Sequence, residues 1–316
     1  MTMILVSFVQ CLLLIALAPS VSWFLKKIKA ASQNRVGPGL AQVYGDLAKL
    51  FRKDMVISGT ASWVFHAVPF VLLASTLAVA SMVPVLGTGS LFGFAGDAIL
   101  FAYLLALGRF SLTLAALDTG TTFGGMGSSR EMTLSSLAEP AILLALFALG
   151  LRAGTLSLEG IVAYFGGQSP LEVLFFTSLA FGALLIVTLA ECGKVPVDNP
   201  ATHLELTMVH EAMVLEYSGR YLALIEWSHQ IKQVVLLALL AGFFLPWGTP
   251  VVPGLLGLVL AGLVFLLKIF FLAFIIGWIE VHTAKLRLFR TPDLLAVGFV
   301  LAILSLLAQL IIGRGG

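Results

Sequence analysis

The sequence has few charged residues and almost no cysteine. Only 11% of its 316 residues are Asp, Glu, Lys or Arg, 59% are hydrophobic, and the mean hydropathy is +1.06. Soluble domains carry about 25% charged residues, so this composition excludes an ordinary soluble protein. The net charge of +2 is too small to indicate a nucleic-acid-binding surface. Cys11 and Cys192 show no CxxC spacing, so we expect no iron–sulfur cluster, structural zinc or disulfide in this chain.

Long apolar runs recur along the whole chain, and about 20 such residues are enough to cross ~30 Å of hydrocarbon. The predicted spans are 3–25, 64–86, 98–117, 133–151, 171–190, 234–247, 254–278 and 294–312. The sequence therefore predicts an all-α, polytopic integral membrane protein with about eight transmembrane helices, forming a single membrane domain over residues 1–316. The first run lacks a preceding basic segment and a small-residue cleavage site, so we expect a retained helix, not a signal peptide.

The distribution of Lys and Arg predicts the orientation of these spans. Fourteen of the eighteen basic residues fall in alternate loops, only Arg152 and Arg314 fall on the other side, and Arg109 and Lys268 lie within spans. Because cytoplasmic loops are enriched in Lys and Arg, both termini should lie on the non-cytoplasmic side of a cytoplasmic (inner) membrane. The polar loops at 26–63, 118–132, 191–233 and 279–293 then face the cytoplasm, where we expect a soluble partner to dock.

Two of these cytoplasmic loops carry local signals. Apolar residues within 40–51 recur at helical spacing opposite Asp46, Lys49 and Arg52, which predicts an amphipathic helix in the membrane interface. This helix is either a membrane-surface strut or one wall of a docking site. The segment 118–132 is rich in glycine but matches no nucleotide-binding motif, and it is predicted to be a flexible turn before the fourth span.

Ionisable residues inside the spans are the main functional signal. An intramembrane charge costs roughly 2.5–3.5 kcal/mol or more, so such a group is a functional hypothesis by default. Glu139 precedes Pro140, whose missing N–H should kink the helix or admit water beside the carboxyl group. Lys268 lies near the middle of the seventh span. Glu139 is predicted to load and release protons, with a single structural hydrogen bond as the alternative.

The third cytoplasmic loop is the densest in acids. Its second half reads as a helix capped by Asp198 or Asn199 and stopped at Gly219, with Glu205 and Glu216 on one face. Together with Glu191, these carboxylates predict an acidic funnel leading to the membrane. His203 and His210 are seven residues apart, which does not match the i, i+4 pair of a zinc helix.

The chain carries a family resemblance in motifs that span nearly its whole length in order. The matching segments are Gln33-Asn34-Arg35-Val36-Gly37-Pro38, Leu117-Asp118-Thr119-Gly120, Ser129-Arg130-Glu131 with Glu139-Pro140, Glu191-Cys192-Gly193-Lys194-Val195-Pro196-Val197-Asp198, Glu216-Tyr217-Ser218-Gly219 and Ala284-Lys285-Leu286-Arg287-Leu288. The chain resembles the subunit 1 family of respiratory complex I, which includes the corresponding membrane subunit of bacterial NADH–quinone oxidoreductase. Within this family, the chain is most similar to the branch found in membrane-bound energy-converting hydrogenases and formate hydrogenlyase.

The resemblance implies a non-catalytic subunit that joins a soluble arm to antiporter-like membrane subunits. The arm would consist of hydrogenase-like large and small subunits, which would hold the [NiFe] centre and iron–sulfur clusters, while this chain holds no cofactor. The family's coupling carboxylates correspond here to Glu139, Glu191, Asp198, Glu205 and Glu216, to which we add Lys268 as a proton-path residue. Docking to the arm is assigned to charged loop residues: Arg35, Asp118, Arg130, Glu131, Lys194, Arg220 and Arg287.

Three alternatives remain open. Two acids of the complex I pattern are replaced between Asp198 and Leu206, which favours the hydrogenase branch over a quinone-reducing subunit. A stand-alone secondary transporter using Glu139 and Lys268 would be expected to show inverted repeats. The sequence has no second copy of the Glu139-Pro140 segment or of the Val195-Pro196-Val197-Asp198 segment. A passive membrane anchor is disfavoured by the carboxylates within spans. The transported ion, H⁺ or Na⁺, is not specified by the sequence.

Overall fold

The chain folds into long helices joined by short connections. The computed structural model describes residues 2–86, 89, 97–199, 208–246 and 255–313. The helices are α1 (Thr2–Ser32), α2 (Leu40–Arg52), α3 (Trp63–Met82), α4 (Ala98–Asp118), α5 (Thr122–Ala153), α6 (Leu158–Gly166), α7 (Pro170–Glu191), α8 (His210–Val214), α9 (Gly219–Phe244), α10 (Leu255–His282) and α11 (Thr291–Gly313), with a 3₁₀ turn at Leu288–Arg290 before α11. The all-α polytopic prediction is confirmed.

Seven helices in the described part of the chain are long and apolar enough to cross a membrane: α1, α3, α4, α5, α7, α10 and α11. The predicted sixth span, 234–247, corresponds to the apolar end of α9. This 26-residue helix starts with a polar half that includes Arg220, Glu226 and Lys232. The polar half of α9 is tolerated in a membrane protein because the helix packs mostly against other helices. It contacts α1, α2, α3, α6, α7 and α10.

The helices alternate in direction between two ends of the bundle. At one end, here called the polar end, Ser62 N–H donates to Asp118 at 2.8 Å, Val56 N–H donates to Ser218 at 2.8 Å, and Leu286 N–H donates to the Pro196 carbonyl at 3.0 Å. At the opposite end, the Ala98 N–H donates to the Leu156 carbonyl at 3.0 Å. The predicted loops 26–63, 118–132, 191–233 and 279–293 therefore gather at the polar end.

The predicted amphipathic helix is confirmed as α2. Its Val43 and Leu47 are buried, and the helix packs against α9 and α1. Tyr44 extends this contact, since its hydroxyl donates to the Ala16 carbonyl of α1 at 2.6 Å. The apolar face of α2 therefore covers the bundle at its polar end.

The prediction of a flexible turn over 118–132 is wrong, because residues 122–132 form the first three turns of α5. Thr121 caps this helix through a hydrogen bond from the Gly124 N–H. The glycines permit close packing: a Cβ at Gly127 would lie 3.0 Å from the Ala212 Cβ and 3.0 Å from the Val209 carbonyl oxygen. Glycine here serves helix contact instead of flexibility.

The helix predicted between Asp198 and Gly219 is also corrected. In the described part of this segment only His210–Val214 is α-helical, and Gly219, with φ +52°, lies at the start of α9 and does not end a helix. Asp198 still caps a helix, but across the loop: its Oδ2 accepts from the backbone N–H groups of Val209 at 3.0 Å and His210 at 3.2 Å. One buried carboxylate thus fixes the start of α8.

Candidate functional site

A buried arginine on α4 joins two carboxylates from different helices. Arg109 Nη1 lies 2.8 Å from Glu191 Oε1 at the end of α7, and Nη2 lies 3.2 Å from Glu139 Oε1 on α5. The side chains of Arg109 and Glu191 are 5% and 1% exposed, so this contact is shielded from solvent. A guanidinium suits this position because it offers several donors in a fixed plane.

Glu191 has a second cationic partner on α9. Lys232 Nζ lies 3.5 Å from Glu191 Oε2. The carboxylate is therefore held between an arginine and a lysine, which favours its charged form despite burial. Four helices, α4, α5, α7 and α9, meet through these side chains.

A second group of charges surrounds α8. Lys285 Nζ lies 3.1 Å from Asp198 Oδ1, and the His210 ring lies between two carboxylates, with Nδ1 3.8 Å from Asp198 Oδ2 and Nε2 3.5 Å from Glu131 Oε2. Glu131 is buried on α5. The imidazole can therefore exchange protons with an acid on either side.

The pKa values of Asp198 and His210 are shifted in opposite directions. Burial alone would raise the pKa of Asp198, but the nearby His210 ring with its imidazolium charge, the Val209 N–H and Lys285 together hold it well below its usual range. Burial lowers the pKa of His210, whereas the charge of Glu131 and the nearby Asp198 carboxylate raise it, with a net increase. Both groups favour the ion pair near neutral pH.

Two adjoining cavities link the two groups of charges. The larger, of about 390 Å³, lies at the polar end and is lined by Lys26, Lys29, Glu191, Asp198, Glu211 and Glu226, among others. A smaller pocket is lined by Arg109 and Glu131. His210, His229 and Lys232 line both and form the wall between them. We call eight of the ion-paired residues the charged network. They form one group around Arg109, with Glu139, Glu191 and Lys232, and one group around His210, with Glu131, Asp198 and Lys285.

The other end of the charged network opens on the side of the bundle. Glu139 is 38% exposed at its side chain and lines a lateral recess with Tyr103, Phe110 and Met132 of α4 and α5. A carboxyl group on this side faces the surroundings of the bundle instead of its core. The charged network thus runs from the polar cavity, through the bundle, to a lateral surface.

The structure brings together three of the six predicted proton-path residues: Glu139, Glu191 and Asp198. Glu205 lies outside the described residues. Glu216 follows the end of α8, and none of the ion pairs found among the described residues involves it. Lys268 lies on α10 in a separate cavity towards the opposite end. In place of a line of acids, the structure therefore has two groups of paired acids and bases.

The sequence interpretation did not assign four members of the charged network, all of them cationic or titratable: Arg109, His210, Lys232 and Lys285. A signal was present for Arg109, because an arginine inside an apolar span requires an acidic partner. His210 lies at the start of α8, Lys285 lies in the loop after α10, and Lys232 lies in the polar half of α9. Their positions depend on which loops meet, which a single sequence does not specify.

The residues assigned to docking differ in their surroundings. Arg35, Arg220 and Arg287 are exposed at the polar end, and Lys194 is half-buried in the larger cavity. Asp118 accepts a hydrogen bond from the Ser62 N–H, and Arg130 Nη1 donates to the Met208 carbonyl at 3.0 Å, so both also stabilise loops. Glu131 is corrected: it is 4% exposed and belongs to the charged network, not to a docking surface.

Comparison with known proteins connects this architecture to a family. The family model for NADH dehydrogenase matches residues 3–312. The chain is 34% identical over 304 residues to formate hydrogenlyase subunit 4 of Escherichia coli, covering 96% of this chain and 97% of that protein. It is 38% identical over 299 residues to hydrogenase-4 component C of the same organism, covering 94% and 92%.

More distant relatives also match most of the chain. An NADH-quinone oxidoreductase subunit of Rubrobacter xylanophilus is 29% identical over 264 residues, covering 83% of this chain and 78% of that protein. A solved chain of the membrane-bound sulfane sulfur reductase, an archaeal respiratory membrane complex, superposes with a TM-score of 0.78 at 21% identity, over 96% of this chain and 99% of that one. At this identity the match shows the fold alone.

Proposed function

The chain belongs to the NADH dehydrogenase family, and on that premise we propose that it is a membrane subunit of a hydrogenase-type, complex I-related oxidoreductase. In this role it anchors a cytoplasmic redox arm and couples electron transfer there to ion movement in the membrane. It supplies no nucleophile and no redox centre. The electrons stay on cofactors of partner subunits, a [NiFe] centre and iron–sulfur clusters.

The observation that carries this proposal is the charged network between the polar cavity and the lateral recess. Within each of its two groups the members alternate in charge and lie 2.8–3.8 Å from their neighbours, and the shared cavity walls at His210 and Lys232 bring the two groups together. Keeping such groups in an apolar bundle is costly unless they are paired. A passive anchor does not need this arrangement, whereas a change of charge in the arm can move a proton along coupled carboxylates.

The pairing favours protons over sodium as the transported ion. Each carboxylate of Glu191 and Asp198 is already occupied by Arg, Lys or backbone N–H donors. Sodium would need several oxygen ligands free of such cations. The histidine between Asp198 and Glu131 is well suited to exchange protons at physiological pH.

The complex I-type alternative, with a quinone as partner, is less well supported by the polar cavity. Sites for apolar ligands are lined mainly by hydrophobic and aromatic side chains. The 390 Å³ cavity is lined mostly by charged and polar side chains, including Lys26, Lys29, Glu211 and Glu226. This lining suits water and protons better than a quinone ring.

The polar end provides the docking surface in this proposal. It gathers fourteen of the eighteen basic residues, so the orientation rule assigns it to the cytoplasm, with both termini on the other side. Exposed side chains there include Arg35, Arg220 and Arg287. The hydrogenase-like large and small subunits would dock on this surface, and antiporter-like subunits would lie beside the bundle in the membrane.

Purification in mild detergent followed by reconstitution tests the proposal. We expect a co-purifying large subunit with four nickel-binding cysteines, and movement of protons into or out of vesicles during oxidation of the donor. Collapse of the gradient by a protonophore is the control. Recovery of the chain alone, or donor oxidation without proton movement in tight vesicles, contradicts the proposal.

A further inference from the structure

A further cavity, of about 240 Å³, lies at the end of the bundle opposite the polar cavity. Its walls come from the segment after α3, from α6, from α9 and from α10. They consist mainly of small and apolar side chains, among them Val85, Ala163, Ala238 and Ala261. Lys268 is the one charged residue among the lining side chains in the described part of the chain.

Lys268 is in an unusual position for a charge. It lies in the middle of α10, and no hydrogen bond or ion pair to it is found among the described residues. The neighbouring Leu267 is 71% exposed and marks the outward face of the helix. An ammonium group at this depth must be solvated or paired, because an isolated charge in hydrocarbon costs several kcal/mol. The cavity it lines is the available place for water.

The mouth of the cavity offers hydrogen-bond acceptors. Three helices end there: α3 before Pro84, α6 at Gly166 and α9 before Pro246. The last carbonyls of a helix have no intrahelical partner, and a proline removes the N–H that would pair the carbonyl four residues earlier, here that of Gly242. Helix C-termini also carry partial negative charge, which favours cations and water.

We propose that this cavity is a water-filled vestibule that connects Lys268 with the non-cytoplasmic solution and serves as the exit for transported protons. The exit role rests on the proposed function, whereas the vestibule itself does not. Lys232 of the charged network and Ala238 of the vestibule wall both belong to α9 and are about 9 Å apart along its axis. The layer between them includes the buried residues Val234 and Leu237 and separates the two compartments.

Thiol labelling tests the vestibule. Lys268→Cys and Leu267→Cys are made in the complete complex with Cys11 and Cys192 replaced by alanine, and treated from either side with a small membrane-impermeant ammonium methanethiosulfonate. Because the reagent attacks thiolates formed in water, Lys268→Cys should react about tenfold or more faster than Leu267→Cys, and only from the non-cytoplasmic side. Ala163→Cys, nearer the mouth, should react from the same side even if the Lys268 variant assembles poorly. Equally slow labelling of the Lys268→Cys and Leu267→Cys variants overturns the vestibule. Labelling of Lys268→Cys from the cytoplasmic side alone also overturns it.

Transport by Lys268→Met and Lys268→Arg complexes tests the exit role. Donor oxidation should continue in both, with proton movement falling about tenfold or more in Lys268→Met and also in Lys268→Arg, because a guanidinium does not release its proton. Wild-type proton movement in Lys268→Met, with the vestibule accessible, overturns the exit role alone. If the wild-type complex moves no protons, the proposed function itself fails, and labelling still decides whether the vestibule exists.

Discussion

At the scale of single residues, Arg109 is the member of the charged network on which the others most depend. It lies 2.8 Å from Glu191 and 3.2 Å from Glu139, and it is buried. Removing one partner of a buried pair leaves an uncompensated charge, which costs about 3–5 kcal/mol, whereas removing both is far less costly. The arginine therefore stabilises the fold because the carboxylates are there.

Substitutions at Arg109 and Glu191 are therefore expected to have non-additive effects on stability. Arg109→Gln should lower the midpoint of thermal unfolding of the detergent-solubilised complex, and the double variant Arg109→Gln with Glu191→Gln should regain most of the loss without regaining proton transport. A matched control is Arg152→Gln, because Arg152 stacks on the Phe176 ring at 4.3 Å near the opposite end. Additive losses in the double variant would contradict a charge-balanced role for Arg109.

At the scale of secondary-structure elements, the sequence predicts the long helices well because their signal is local. About 20 apolar residues in succession specify a span wherever it packs. The helix α6 was missed because its nine residues are too few to span a membrane, although Ser157 caps it. The turns of α5 before residue 133 were missed because glycine usually weakens a helix, and the contact with α8 that requires it is made by residues far along the chain.

The candidate site also contains some residues that the sequence predicts and others that it does not. Glu139 and Glu191 were predicted because a carboxylate within or at the end of an apolar span is visible in the sequence. The pairing of Asp198 with Lys285 was not, because 87 residues separate them and only the folded loops bring them together. Acids in or beside a span were thus predictable, whereas pairs made between distant loops were not.

The contact of α5 with α8 gives a prediction on stability. Gly127→Val places side-chain atoms where a Cβ alone would lie 3.0 Å from the Ala212 Cβ, so we expect a loss of about 1–3 kcal/mol from overpacking. Gly125→Ala is the matched control, since a Cβ there meets nothing within 4 Å, and it should be neutral or stabilising by about 0.5–1 kcal/mol. Thermal unfolding of the two variants measures these changes in stability. Equal effects of the two substitutions would contradict the close contact between α5 and α8.

The stability contributed by the ion pairs around α8 should depend on pH. The pKa of His210 is raised in the folded protein, so its ion pairs with Asp198 and Glu131 stabilise the fold below about pH 6.5 and are lost as pH rises through the raised value. Asp198 does not contribute to this change, because its pKa is held low and its contribution disappears only in acid.

We therefore expect the thermal midpoint of the wild type to fall between about pH 6 and about pH 9 by more than that of His210→Gln. The nearby Lys285 is ion-paired with Asp198 at 3.1 Å. The difference between the two slopes isolates the imidazole. Parallel slopes for wild type and variant would contradict the assignment.

At the scale of the whole molecule, the polar loops gather at one end, and this predicts where a soluble arm binds. Val36 and Phe289 are 99% and 90% exposed there, while Leu171 is 80% exposed at the opposite end. A photo-reactive amino acid at position 36 or 289 should cross-link to the large or small subunit of the arm, and one at position 171 should not. Cross-links to the arm from position 171 alone would reverse the orientation.

The central claim is that the charged network carries protons from the arm into the membrane. The most direct test is the number of protons moved per electron in proteoliposomes that contain the complete complex with Glu139→Gln. Glu172→Gln is the control, because Glu172 is an exposed acid in the first turn of α7, outside the network. We predict that Glu139→Gln keeps donor oxidation but lowers the ratio about tenfold or more, with the control unchanged. A wild-type ratio in Glu139→Gln would contradict the claim and leave the chain as a membrane anchor.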